Sequence, residues 1–197
     1  ITRASYRLIA AKRGAGWRQL DYDLHSAIQL LYLVEYASFY SQSMIGAGIT
    51  NVTDWAAYNN YYPIAPSGNS NVIGNASGNT AGAAACATEA SKYLSYRGIE
   101  NWFGHIWKFV DGFNINNNLP YVSNTDTQFT DDTITNYTGL GVTLSAVDGW
   151  QSTLAQISRG FLPLTIGAGS TTKITDYYYQ GAGWRVALFG GLAVDGA

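Results

Sequence analysis

The chain has 197 residues, enough for one domain, or one domain with an appended arm. A net charge of −2 and an isoelectric point near 5.5 leave no basic footprint for nucleic acid or an anionic membrane. Charged residues make up only 12%, about half the ~25% usual in soluble domains, so Asn, Ser, Thr, Gly and Tyr do the solvating. That mixture is common on secreted, virion and adhesive surfaces.

Residues 1–20 carry five of the eleven basic residues and no acid, and the expectation is a linker or strand arm leading in from a preceding segment. From Asp21 the pattern becomes helical. Leu24, Ile28, Leu31, Val34 and Tyr36 or Phe39 recur at three- and four-residue spacing, with Asp21 or Asp23 available as N-cap. The spacing predicts one long helix over 22–42, ended by Gly46 and Gly48, with its wide apolar face against a sheet. His25 and Glu35 lie ten residues apart, nearly three turns, and cannot meet on one helix. A surface histidine and a glutamate paired in the fold are expected instead.

Residues 51–62 read as a short helix capped by Thr53 or Asp54, followed by a long Gly-, Asn- and Ser-rich loop. The single cysteine, Cys86, lies in a small-residue context and reads as a buried small hydrophobe; alone it forms neither an internal disulfide nor a thiolate zinc site. The densest stretch is Tyr96 to Ile115, YRGIENWFGHIWKFVDGFNI, cut by Gly98, Gly104 and Gly112. Aromatics, β-branched residues and glycines together predict strand, tight turn, strand, with lone charges such as Arg97 and Glu100 buried and paired.

Further on, 116–141 reads as loops and short strands. Asp126, Asp131 and Asp132 resemble a Ca²⁺ loop only in composition, since their spacing departs from the EF-hand, and acidic turns are the preferred reading. Residues 140–166 have strand character around a turn at Asp148-Gly149. A tyrosine-rich strand, a glycine turn and GWRVALFGG follow. No apolar run reaches about 18 residues, so no transmembrane span is expected.

Three segments stand in a familiar order. YRGIENWFGHIWKFVDG resembles the RGxEN and GNVWEW element of the formylglycine-generating and sulfatase-modifying-factor family, and GWRVALFGG resembles its later GFRVARGGSW element. With DYDLHSAIQLLYLVEYASFYSQSMIGAG, the chain resembles still more the phage tail-fibre, receptor-binding and retroelement-diversified variable proteins on the same fold. The resemblance implies an α+β, C-type lectin-like domain over 21–197, with short twisted antiparallel strands, one long N-terminal helix and extensive loops. It implies structural roles for Arg97, Glu100, Trp107, Trp184 and Arg185, the tryptophans as core rings and the charged residues as loop ties. The chain stops soon after its GG turn, so a domain truncated at the C-terminus is expected, as the start at Ile1 without methionine suggests a cut or processed chain.

Catalysis is not implied. The enzymes of that family use a cysteine pair with copper, and their iron-dependent relatives a histidine cluster, whereas this chain has Cys86, His25 and His105. The short lectin signatures for calcium-bound sugar (EPN, QPD, WND) are absent. No cofactor is expected. The reading is a non-enzymatic virion module, a phage fibre or tail domain that recognises a host-surface glycan or protein. The alternatives are a purely structural decoration protein, a bacterial surface adhesin, or a sulfatase-modifying-type oxidase. The expected ligand face is Tyr177, Tyr178 and Tyr179 with Leu192, Ala193 and Asp195, since tyrosines give rigid amphipathic contacts. Expected partners are a host ligand and other virion proteins, in a homo-oligomer taken to be a trimer by analogy with such fibres.

Overall fold

The computed structural model describes residues 2–50, 67–81, 93–169, 174 and 176–191. The predicted helix at 51–62, Cys86, and Leu192, Ala193 and Asp195 lie outside them. The architecture is α+β, with three helices and three antiparallel sheets among the described residues. None of these helices is long and apolar enough to cross a membrane. The chain divides into two compact units, one formed by residues 1–39 and 109–187 and the other by residues 40–108 and 188–197.

The first unit opens with a helix where an arm was expected. α1 (Arg3–Ala11) is capped by Thr2, whose hydroxyl accepts from the Ser5 amide. Two of the five basic residues in the expected arm, Arg3 and Arg7, anchor it. Arg3 is buried and donates to the Phe113 carbonyl at 2.7 Å and to the Asn114 side chain. Arg7 clasps Asp111 with two bonds, Nε at 2.6 Å and a terminal nitrogen at 2.8 Å, and reaches Asp131 at 2.5 Å. Guanidinium spans such a set because it presents a planar fork of donors.

α2 (Tyr22–Tyr36) begins where the sequence places it, with the Asp21 carboxylate accepting from the Leu24 amide. It ends earlier than predicted. Ala37 takes a left-handed conformation (φ 50°), and a separate short helix, α3 (Ser41–Ile45), follows in the second unit. The one long helix expected over 22–42 is thus replaced by two shorter ones. The inward face also differs from the predicted one: Tyr22, His25, Ser26, Ile28 and Tyr32 are buried, whereas Leu24, Leu31 and Val34 face outward. Tyr22 stacks on Phe113 at 4.4 Å, the Ser26 hydroxyl donates to the Arg159 carbonyl, and Gln29 accepts from the Phe161 amide. Polar side chains on this face thus meet hairpin backbone, a pairing that periodicity of apolar residues does not report.

The strands of the first unit form two sheets. β4 (Lys108–Asn116), β5 (Leu119–Val122), β6 (Thr138–Gly139) and β10 (Trp184–Phe189) stand in the order β10-β4-β5-β6. The turn between β4 and β5 uses Asn117 and Asn118, both at positive φ, as a tight hairpin requires. β7 (Gly149–Ile157) and β8 (Gly160–Ile166) form the second hairpin, with β9 (Tyr177–Tyr178) on the other side of β7. Its turn is Ser158-Arg159; Asp148-Gly149, read as the turn, is where β7 starts.

In the second unit, β1 (Gly78–Thr80), β2 (Tyr93–Tyr96) and β3 (Ile99–Glu100) make a three-stranded sheet. Its core is Tyr93, Leu94 and Tyr96, all but inaccessible, with Ile45 and Ile49. Gly104 (φ +70°) lies so close to the Ile49 carbonyl that a Cβ would stand 2.7 Å from its oxygen.

Candidate functional site

The segment 96–115 divides between a structural turn and a strand. Arg97 is exposed at φ 49° in the β2–β3 turn, its amide bonded to the Ser77 hydroxyl, which corrects the expectation that it is buried. The two-residue turn with Gly98 dictates that outward position. Glu100 is half-buried, and its carboxylate accepts from the amides of Gly68 at 2.8 Å and Ser70 at 2.6 Å, fastening the loop before β1. Trp107 and Trp184 are half-buried, and the fully buried rings are Tyr93, Tyr96 and Phe113. An indole is too large to be enclosed by short strands and loops, whereas one-ring side chains fit between them. Arg185 is exposed on β10 and donates to the Trp184 carbonyl at 2.8 Å; strand alternation turns it outward.

The two histidines belong to different units. His25 is buried on α2 beside Tyr22, at 6.5 Å between rings, correcting the expectation of a surface histidine. Glu35 is exposed on the same helix. His105 sits at φ 68° with its amide bonded to the Ile49 carbonyl at 2.7 Å, a turn position. Lys108 is an ionisable group that sequence reading passed over. Its Nζ donates to the carbonyls of Gly104 and Ile106, each at 3.2 Å, and burial lowers its pKa from 10.5 to about 8. It closes the 104–106 turn.

The acids read as turn residues are occupied by arginines. Asp126 pairs with Arg18, and Asp131 with Arg3 and Arg7. Asp132 takes a left-handed turn at φ 53°. Among the described residues no group of three or more His, Cys, Asp or Glu is placed to hold a metal ion.

The tyrosine run resolves into two roles by strand alternation. The Tyr178 hydroxyl donates to the Ser145 carbonyl at 3.3 Å, and burial, then the Asp148 charge, raises its pKa. Tyr177 (42% exposed) and Tyr179 (62%) point outward. Their rings approach to 4.7 Å. Trp150, directly across from Tyr177 in the β7–β9 ladder, stands edge-on to it at 5.2 Å. Trp150, half-buried, therefore forms one aromatic platform with the exposed Tyr177 and Tyr179, and the Gln180 amide is held to the Asp148 carboxylate at 2.8 Å beside it. Trp150 was not among the expected ligand residues, because its membership depends on cross-strand register. The nearest signal in the sequence was a tryptophan next to a predicted turn.

Two concavities lie elsewhere in this unit. A polar cleft of about 350 Å³ is lined by Asn124, Thr138, Leu140, Gln156, Ser158 and Arg159 among others, and the Arg159 guanidinium is committed to Asp23 and Asn124. A groove of about 670 Å³ runs along residues 15–21 and Leu24. Neither holds a nucleophile beside a base. Comparison with protein families, curated proteins and solved structures finds no match for the chain.

Proposed function

We propose that this chain is a non-enzymatic recognition module of a virion, a fibre or tail domain that contacts a host-surface glycan or protein through Trp150, Tyr177 and Tyr179. The observation that carries the reading is the three-ring platform, with Tyr177 and Tyr179 exposed and Trp150 half-buried beside them. Rings fixed by a strand ladder offer flat apolar area with polar rims and lose little side-chain entropy on contact. The three rings are uncharged, in keeping with the 12% charged content of the chain. The C-type lectin-like assignment rests on the motif order at 96–115 and 183–191.

The test is retention of the purified full chain on bacterial cells and on an immobilised glycan array. Binding is expected, with loss of about tenfold or more in the Trp150→Ala, Tyr179→Ser double variant, since stacked aromatics are frequent binding hot spots. Binding unchanged by that variant would remove the site, and absence of the chain from purified particles would remove the virion reading.

A further inference from the structure

α2 is apolar on two opposite sides. Tyr22, Ile28 and Tyr32 face the fold and are buried. Leu24, Ala27, Leu31 and Val34, at spacings of three, four and three, form a second stripe facing away from it. Leu24 is 53% exposed, Leu31 56% and Val34 86%. A helix apolar on both sides has the pattern of one covered on both sides. At its N-terminal end the stripe runs into the 670 Å³ groove, which Trp17, Leu20 and Leu24 line; Trp17 is 59% exposed.

We propose that this stripe is a self-association surface, on which two copies of the chain pack α2 antiparallel about a twofold axis near Gln29. The order three, four, three reads the same in both directions. Antiparallel pairing therefore sets Leu24 against the partner's Val34 and Ala27 against the partner's Leu31, a self-complementary contact. Shape agrees. Val34 is a knob at one end of the stripe, and the groove at Trp17, Leu20 and Leu24 is a hole at the other, roughly 15 Å away along the helix. A twofold puts each knob at the partner's hole, whereas a parallel pair stacks Val34 on Val34 and leaves both grooves open.

Area agrees as well. The charges beside the groove are countered within the chain, Arg18 by Asp126. Asp23, near the groove, is countered within its own chain by Arg159 at 2.5 Å. The exposed fractions of these side chains amount to roughly 500 Å² per copy, or about 1,000 Å² per pair, the lower edge of a specific protein contact. The assembly closes at two copies, in place of the trimer expected by analogy with fibres.

Sedimentation of the full chain across micromolar concentrations should show a reversible step from 21.3 kDa to twice that mass. Val34→Glu should weaken association about 100-fold, because it buries a charge without a partner. The melting temperature of dilute protein should be unchanged, Val34 being largely solvent-exposed in the single chain. In a Cys86→Ser background, a mixture of Leu24→Cys and Val34→Cys chains should form the mixed disulfide, and neither alone should cross-link. Monomer at every concentration, a trimer mass, a dimer indifferent to Val34→Glu, or Leu24→Cys cross-linking to itself would each overturn the proposal.

Discussion

Asp111→Ala tests whether α1 is an integral part of its unit. Asp111 is 2% exposed and accepts both bonds of the Arg7 clasp, at 2.6 and 2.8 Å, while one of its oxygens also accepts from the Gly112 amide at 3.0 Å. Removing one partner of a buried pair costs about 3–5 kcal/mol, because the other charge is left desolvated. Arg7 here keeps some solvent and retains Asp131 at 2.5 Å, so the lower part of that range, about 3 kcal/mol, applies. For a chain of this length that corresponds to a fall in Tm of roughly 6–12 °C. Urea unfolding followed by circular dichroism should report it. The Arg7→Met, Asp111→Leu double variant should cost less than the sum of its singles, since apolar substitution removes both charges together. A loss under about 1 kcal/mol in Asp111→Ala, or strictly additive singles, would show that the clasp does not hold α1 in place.

Three further outcomes follow from the same geometry. Gly104→Ala should destabilise by about 2 kcal/mol or more in chemical unfolding, since it combines a left-handed backbone with a Cβ 2.7 Å from the fixed Ile49 carbonyl oxygen. Lys108 has a folded pKa of about 8 against 10.5 unfolded, so between those values the unfolded state binds more protons and stability rises with pH. Lys108→Met should therefore compare best with the parent below pH 8 and lose that relative advantage toward pH 10.5, as read from paired urea titrations. Tyr178→Phe removes the hydroxyl bonded to the Ser145 carbonyl at 3.3 Å and should cost about 1 kcal/mol, the size of one hydrogen bond, with the outward rings of the platform still in place. Tryptophan fluorescence and thermal melting would check both parts.

Much local structure was legible because it depends on neighbours in sequence. The Asp21 cap, the start of α2, the strand-turn-strand character of 96–115 and the strands at 149–166 and 184–189 follow from caps, glycines and β-branched or aromatic runs. What the sequence concealed depends on distant partners. The basic run at 1–20 looked like an arm because Asp111 and Asp131, more than a hundred residues away, give Arg3 and Arg7 their place. The predicted face of α2 failed for a related reason. With apolar residues on both sides of the helix, periodicity finds two stripes and cannot rank them. Ser26 and Gln29, bonded to hairpin backbone, decide which stripe turns inward.

The candidate site divides along the same line. Composition and the Tyr177–Tyr179 run determined that an uncharged, tyrosine-bearing strand would exist, and alternation along a strand separates Tyr178 from its neighbours. Only the tertiary structure decided which tyrosines face outward and that Trp150 joins them, because that depends on the pairing of β9 with β7 across the 26 residues of chain between Trp150 and Tyr177. Side-chain chemistry is a property of each residue and can be read one position at a time. Adjacency is a property of register and packing, fixed when strands far apart in the chain settle their hydrogen bonds.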